Sequence, residues 1–197
     1  WKDAADVFVG PDINNAIATL RRLQTVMDNR YAYLMAQHRR KIERGDAMNA
    51  LAVVLDEIAY FSATVGDKTQ RDTFSALLRD IVARGRAVAV IVVGATQRPT
   101  ADIIPTSLRE IFSWRMAGRC TTDVSSDVIL GYGWAARGYS AANIHPLDQG
   151  VVWLVAEDGH PRRIKTAYLD DSAIVRLAAY ARHPPPRPHS GRRTGAT

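Results

Sequence analysis

Two stretches of the chain decide its fold: LAVVLDE, residues 51–57, and VAVIVVGATQRP, residues 88–99. Each begins with a short apolar run rich in β-branched residues, which is typical of a strand buried on both faces of a parallel sheet. Between them, residues 69–84 carry apolar side chains at helical spacing, and Gly85 ends that pattern. Strand, helix and strand in this order predict a right-handed crossover, and therefore an α/β fold with a parallel sheet flanked by helices.

Polar residues follow each strand and form the candidate site. Asp56 and Glu57 end the first strand, and Gln97 comes just after the second. Because parallel strands present their carboxyl ends to one crevice, we expect Glu57 and Gln97 to be neighbours. One of two adjacent acids can hold Mg²⁺, usually through water, while the other polarises an attacking water. The neutral amide of Gln97 can bond a phosphate oxygen and a water. Either motif alone also fits an ordinary turn, so their pairing is what indicates a site.

The flanking segments complete one domain of residues 1–181. Upstream, apolar residues recur at spacings of three, four and seven from Ile13, which predicts an amphipathic helix that is capped by Asp12 and ends at Gly45 and Asp46. Its basic opposite face fits either a solvated surface or a binding patch. Downstream, the pattern predicts these elements: a short helix at 107–111, a third strand at 113–120, a helical turn at 126–130, a hairpin of 151–155 and 162–168, and a closing helix at 171–181. Residues 182–197 are predicted to be a disordered, basic, Pro/Arg-rich tail.

Composition is that of a soluble globular protein. The chain has 197 residues, of which 47% are apolar and 23% charged, and its longest apolar run, residues 87–95, is too short to span a bilayer. Cys120 is the only cysteine, which excludes an internal disulfide and fits the cytoplasm. The net charge is +6, but four of the basic residues lie in 182–197 without any acid, so the rest carries only +2. This charge permits nucleic-acid contact without arguing strongly for it.

Several motifs together resemble one family. LDEIAYF at 55–61 and GRAVAVIVVGATQRP at 85–99 are similar to the FtsK/SpoIIIE family of hexameric double-stranded DNA translocases. The likeness continues in MDNRY at 27–31, through 103–130, and in GWAARGYSAANI at 133–144. The downstream part is most similar to the actinobacterial branch, which includes the TraB conjugation motors and relatives on integrative elements. The resemblance implies the C-terminal part of a RecA-like P-loop NTPase core, with ATP and Mg²⁺ as cofactors.

The resemblance also implies a role for four residues around the nucleotide. Asp56 matches the Walker B acid that coordinates Mg²⁺, Glu57 the catalytic acid, and Gln97 the sensor of the γ-phosphate. Arg86 lies eleven residues before Gln97, where related ring motors place an arginine that reaches the neighbouring subunit's nucleotide. The alternative for Arg86 is a surface arginine at a helix end.

DNA contacts in the family come from loops that face the ring channel. Arg98 and Arg109 match basic positions in the first loop, where contacts go to phosphates. In the second loop, Asp123 and Asp127 stand where the better-known pattern has a lysine and an arginine. Either Arg115 and Arg119 compensate, or this branch grips DNA mainly through the first loop. The implied partners are double-stranded DNA and further copies in a hexameric ring. Membrane contact is expected only through a region outside this chain.

One expected motif is missing. Gly-Lys does not occur in the chain, so there is no Walker A phosphate-binding loop. Three interpretations stay open: a truncated part of an ATP-driven DNA translocase for conjugation or chromosome segregation, a non-catalytic ring subunit or DNA-binding adaptor derived from such a motor, and an ATPase of another class such as a protein-secretion motor. In the first, the full-length cytoplasmic or membrane-anchored protein is an ATPase, and this chain alone is inactive.

Overall fold

The computed structural model describes residues 2–182, so all but the first residue of the predicted tail lies outside the described residues. Contacts group them into two units, residues 9–166 and residues 2–8 with 167–182, and each is described by itself. In chain order the helices and strands are α1 Ile13–Ala36, β1 Leu51–Leu55, α2 Lys68–Gly85, β2 Val90–Gly94, α3 Thr106–Arg109, β3 Arg115–Ala117, α4 Asp123–Leu130, β4 Val151–Val155, β5 Pro161–Lys165 and α5 Asp171–Arg182.

The two strands that decide the fold pair in parallel, as the sequence predicts. β1 runs beside β2 with Leu51 opposite Val90 and Leu55 opposite Gly94, and α2 makes the crossover between them. The pairing continues past the strand ends, because the Ala95 N–H donates to the Leu55 carbonyl and the Ile58 N–H to the Ala95 carbonyl, both at 2.8 Å. The residues that follow β1 and β2 are therefore held side by side.

Helices α1 and α2 form the main core against the parallel strands. Asp12 caps α1 as predicted, since its carboxylate accepts the Asn14 N–H at 2.8 Å, and Asp67 caps α2 in a capping box with Gln70. The Tyr31 hydroxyl joins the two helices by donating to the Arg84 carbonyl at 2.6 Å. The largest fully buried apolar side chains of this core are Met27, Leu34, Phe74, Leu78, Ile81, Val88 and Val90.

The prediction that both strands are buried on both faces is wrong. Val53 and Val92 pack toward the helices, whereas Val54, Ile91 and Val93 on the opposite face are 72%, 54% and 54% exposed. Successive strand residues point to opposite faces, so helices packed on one side can cover only every second residue. The apolar composition of these strands is typical of a sheet with helices packed on both faces. Among the described residues, helices cover only one face, and the other apolar face is exposed to solvent.

Helix α1 is shorter than predicted, because it ends at Ala36 rather than near Gly45. His38 leaves the helix with φ +50°, and Met35 is already 76% exposed, so no apolar contact extends the helix further. Two basic residues of the segment that was predicted to be helical, Arg30 and Arg39, stabilise the fold. Arg30 donates to the Val88 carbonyl at 2.6 Å, and Arg39 pairs with Asp46 at 2.7 Å.

The C-terminal half of residues 9–166 is an antiparallel sheet. The predicted hairpin is present as β4 and β5, and the predicted third strand, reduced to Arg115–Ala117, pairs antiparallel with β4. α4, which begins at Asp123 rather than 126, packs against this sheet. The small core between them consists of Ala117, Leu130, Ala141, Ile144 and Val155.

The unit formed by residues 2–8 and 167–182 contains the predicted closing helix. α5 begins after Asp170, whose carboxylate accepts the Ala173 N–H at 2.7 Å. None of the residues of α5 is buried. Among residues 2–182, no helix combines the length and apolar composition needed to cross a membrane.

Replacing Gly85 with Ala is expected to lower the free energy of unfolding by about 1–3 kcal/mol. A Cβ at Gly85 would lie 2.6 Å from the Val90 carbonyl oxygen, and a strand backbone cannot move away as a flexible side chain could. Denaturant unfolding of the chain followed by circular dichroism measures the effect. Gly10→Ala is the matched control, since a Cβ there meets nothing within 4 Å. Equal stability of the two variants would contradict this account of the junction between α2 and β2.

Candidate functional site

The acid pair lies at the carboxyl end of β1, where the chain turns into a short helical segment. Asp56 is exposed and Glu57 is half-buried. The Glu57 carboxylate accepts the Ala59 N–H on one oxygen at 3.0 Å, which fixes the start of the turn that leads to residues 60–64. No cation pairs with Asp56 among residues 2–182, so its carboxylate is free to accept from water or a metal ion.

The structure brings Glu57 and Gln97 together, as the parallel strands predict. The Gln97 N–H donates to the second oxygen of the Glu57 carboxylate at 2.9 Å, and the Gln97 side chain is exposed. Gly94, the last residue of β2, leaves room for Ile58, because a Cβ there would lie 2.7 Å from the Ile58 side chain. A carboxylate and an amide at neighbouring strand ends can hold a water between them.

Glu57 is kept ionised by its surroundings. Burial raises the pKa of Glu57, but the Gln97 N–H, the Thr96 hydroxyl, the Ala59 N–H and the charge of Arg98 together hold that pKa below its usual range. The carboxylate is therefore a hydrogen-bond acceptor throughout the neutral pH range. The sequence motifs did not identify Thr96 as a residue of the site, although it directly precedes Gln97 in ATQRP.

Asp56 is the residue that fits Mg²⁺. Among residues 2–182 there is no group of three or more His, Cys, Asp or Glu side chains that could form a cation cage. Mg²⁺ commonly binds proteins through one or two carboxylates and keeps waters and substrate phosphates as its other ligands. One exposed, unpaired carboxylate at a strand end suits that mode of binding, and it does not suit a metal held by protein ligands alone.

Arg86 lies far from this pair. It begins the short 3₁₀ turn Arg86–Val88 that precedes β2, whereas Gln97 follows the other end of the same strand. A strand of five residues is about 17 Å long, so Arg86 cannot serve the site made by Glu57 in its own chain. Its guanidinium is exposed and pairs with Glu157 at 2.7 Å. The structure thus places Arg86 at the opposite end of β2 from Gln97, in an ion pair with Glu157.

The four arginines predicted to contact DNA have different surroundings. Arg98 is exposed beside Gln97, and Arg119 is exposed in a cleft of about 370 Å³ that Gln97 and Met116 also line. Arg115 is half-buried, and burial together with the charge of Arg109 lowers its pKa. Arg98 and Arg119 thus lie on the same side as Gln97, next to the candidate site.

Arg109 does not fit the predicted phosphate contact. It is only 5% exposed, and its guanidinium lies 4.6 Å from the centre of the Tyr132 ring. Its hydrogen-bond partners, the Val128 carbonyl at 3.5 Å and the Thr106 hydroxyl at 3.4 Å, belong to α4 and α3. Arg109 therefore connects α3, α4 and the loop that contains Tyr132. Its guanidinium is buried among these residues and is not exposed for contact with a DNA phosphate.

The two acids of the second loop also have structural partners. The Asp127 carboxylate accepts the N–H groups of Gly133 and Ala135 at 2.8 and 2.9 Å, and Asp123 accepts the Ser140 hydroxyl. These bonds order the glycine-containing loop after α4. These contacts explain why both positions carry an acid. A lysine or an arginine side chain has no acceptor atom for the N–H and O–H groups that donate here.

An acid pair at the end of one parallel strand, beside an amide at the end of the next, is the arrangement found in motors of the P-loop NTPase class. The chain is similar to curated proteins named DNA translocase FtsK. The alignment with the protein of Chlorobaculum tepidum covers 182 residues, or 89% of this chain, at 26% identity. The alignment with the protein of Shewanella oneidensis covers 134 residues, or 68% of this chain, at 27% identity. The chain spans 21% and 13% of the length of these two relatives.

Two solved structures share the fold. The pCW3 conjugation coupling protein TcpA, solved as a monomer with ATPγS, matches with a TM-score of 0.70 at 17% identity, over 84% of this chain and 49% of that one. The cytoplasmic domain of the Thermomonospora curvata type VII secretion ATPase EccC matches with a TM-score of 0.59 at 19% identity, over 87% of this chain and 20% of that one. No protein-family model matches the chain. The resemblance to FtsK/SpoIIIE-type motors and the P-loop NTPase fold are confirmed, while the actinobacterial branch stays a prediction.

Proposed function

We propose that this chain is part of an ATP-driven translocase of double-stranded DNA. The observation that carries the proposal is the contact between Glu57 and the Gln97 N–H at 2.9 Å, at the carboxyl ends of two parallel strands. The relatives that are similar over most of the chain are named DNA translocases, and one structural neighbour is a conjugation coupling protein solved with an ATP analogue. A part in DNA transfer during conjugation or in chromosome segregation fits both.

In this proposal each residue has a defined task. Glu57 accepts a proton from the attacking water, and the exposed amide of Gln97 orients that water against the γ-phosphate of ATP. Asp56 would hold Mg²⁺, which neutralises charge on the phosphates when it is bound. Arg86, at the opposite end of β2, would act on the nucleotide of a neighbouring copy in a hexameric ring, after leaving its partner Glu157.

The open sheet face supports the view that the motor contains more than this chain. Val54, Ile91 and Val93 form an exposed apolar surface next to the candidate site. Covering apolar surface is worth about 25 cal/mol per Å². The relatives are several times longer than this chain, so in the complete motor we place the phosphate-binding part of the NTPase core against this face. Any membrane anchor would also belong to a region outside this chain, and this chain would then lie on the cytoplasmic side of the membrane.

A second function is favoured by one observation, the absence of Gly-Lys from the sequence. A chain that never carries a phosphate-binding loop would be a non-catalytic ring subunit or a DNA-binding adaptor. The two functions differ in the intact protein: the translocase hydrolyses ATP faster when duplex DNA is added, whereas the adaptor does not hydrolyse it at all. An ATPase assay of the full-length protein with and without duplex DNA is the deciding experiment.

This chain by itself is expected to bind ATP only weakly, with a Kd above about 1 mM. The β- and γ-phosphates lack the lysine and the cradle of backbone N–H groups that normally hold them. Calorimetric titration with Mg-ATP measures the affinity, and the full-length protein is the positive control. Micromolar binding by the chain would contradict this prediction and would mean that the nucleotide is held by other residues.

A further inference from the structure

Two arginines near the loop that follows α4 lie close together without an acidic partner. The Arg109 guanidinium lies 4.6 Å from the centre of the Tyr132 ring. A Cβ on Gly131, the residue before Tyr132, would lie 3.4 Å from Nη1 of Arg115. Two consecutive loop residues thus adjoin the two guanidiniums. Neither guanidinium forms an ion pair with a carboxylate of residues 2–182.

The N–H groups of Arg109 are poorly satisfied. A guanidinium has five N–H donors, and Arg109 is only 5% exposed, so water reaches few of them. Its acceptors are the Val128 carbonyl at 3.5 Å and the Thr106 hydroxyl at 3.4 Å, which are neutral and at the long limit of a hydrogen bond. The π face of Tyr132 attracts the cation but supplies no oxygen atom. A buried charge normally has an opposite charge as its partner.

Arg115 has the same deficit. Its Nε atom is buried and has no hydrogen-bond partner among residues 2–182. Burial and the charge of Arg109 lower the pKa of Arg115, and the charge of Glu110 acts in the opposite direction without forming an ion pair. Asp127, on α4, uses both carboxylate oxygens for backbone N–H groups of the loop that follows. The described residues therefore leave this pair of positive charges without a bonded anion.

We propose that Arg115 and Arg109 form a binding site for a small phosphate anion, which Arg115 contacts and Arg109 attracts from behind. A planar guanidinium matches the spacing of two phosphate oxygens, and a doubly charged anion neutralises two arginines at once. The Nε of Arg115 would then gain its missing acceptor. Gly131 leaves space beside Arg115, because it has no side chain there. A half-buried arginine suits a small anion, whereas contact with a duplex needs an exposed one such as Arg98.

NMR of the arginine Nε–Hε groups tests the site in this chain, during titration with sodium phosphate or with sodium chloride at the same ionic strength. We expect the Nε–Hε signal of Arg115 and the backbone N–H signal of Gly131 to shift and saturate with phosphate alone, at a Kd of about 1–10 mM. A phosphate titration that does not saturate, or that chloride reproduces, overturns the proposal. This comparison uses the wild-type chain, so it does not depend on the folding of any variant.

Two variants separate a site from general positive charge. Arg115→Gln should weaken phosphate binding at least about tenfold, as followed at the Gly131 N–H. Arg137→Gln is the matched control, since it removes an exposed arginine from the same region, 5.2 Å from the centre of the Trp134 ring. It should leave the Kd for phosphate unchanged. If both variants weaken binding equally, general charge explains it and the proposed site is wrong.

Further titrations identify the source of the phosphate. Magnesium-free ATP and a short DNA duplex are compared with inorganic phosphate at equal concentrations of phosphate groups. Saturation by inorganic phosphate or by ATP supports the site, and the lower Kd shows whether a free ion or a nucleotide is its source. If only the duplex shifts these signals, the small-anion site is wrong and Arg115 belongs to a DNA-binding surface. The site does not depend on the proposed function, because these titrations need no ATP turnover.

Discussion

Glu57→Gln in the full-length motor is expected to keep ATP bound and to lower turnover by about 10²–10⁴-fold. The amide preserves the size of the side chain but cannot accept a proton from water at neutral pH. Both carboxylate oxygens of Glu57 receive backbone N–H groups, from Ala59 and Gln97. An amide has one acceptor oxygen, so its NH₂ group must face one of those donors. We therefore also expect the loop of residues 95–98 to loosen in this variant.

Two measurements separate a chemical defect from a damaged site. Fluorescent-nucleotide binding should give an affinity within about threefold of wild type for Glu57→Gln, whereas Asp56→Asn should weaken Mg²⁺-dependent binding as well. Glu110→Gln is a matched control, because it removes one exposed carboxylate away from the acid pair and should change neither quantity. Near-normal hydrolysis by Glu57→Gln would show that the acid pair has been assigned wrongly.

The contact between Glu57 and Gln97 could be predicted because it depends only on the order of strand, helix and strand along the chain. Two apolar runs joined by one helix leave few topologies, and parallel pairing places Glu57 beside Gln97. The hydrogen bond from the Arg98 N–H to the Thr96 hydroxyl oxygen was harder to predict. It depends on how tightly the loop turns after Gly94, and residue type alone does not determine that turn.

The errors have a different origin, since each depends on distant residues. The resemblance implies that Arg109 contacts DNA phosphates, but Tyr132 and α4 cover its guanidinium. The sequence predicts a third strand at 113–120 but not its partner, and β3 pairs with β4, more than thirty residues later. Composition indicated sheet burial on both faces, and only one face has its cover among the described residues. A single sequence shows the preferences of each segment, and it does not show which segments meet.

Arg98→Ala is expected to weaken duplex binding by the full-length motor at every DNA sequence. The slope of log K against log salt should become shallower by about 0.9, because the variant neutralises one DNA phosphate fewer. Arg98 is exposed next to Gln97, and an arginine that binds a phosphate reads no sequence information. Fluorescence anisotropy with two unrelated duplexes at several salt concentrations measures both quantities. DNA stimulation of ATP turnover should fall in the same variant.

Arg109→Ala is the matched comparison, because it removes the same charge from a buried position. It should leave the salt slope unchanged and lower the free energy of unfolding by about 1–3 kcal/mol, since Tyr132 and two acceptors would no longer have the guanidinium as a partner.

Residues 182–197 carry four arginines and no acid, so the assay is repeated on a version ending near Ala181. Within this chain, the net charge outside residues 182–197 is only +2, so these residues add little general attraction to DNA. If Arg98→Ala binds duplex DNA like its parent, the loop of residues 95–98 does not contact DNA. A ring subunit without its own DNA grip, or a secretion-type motor, then explains the chain better.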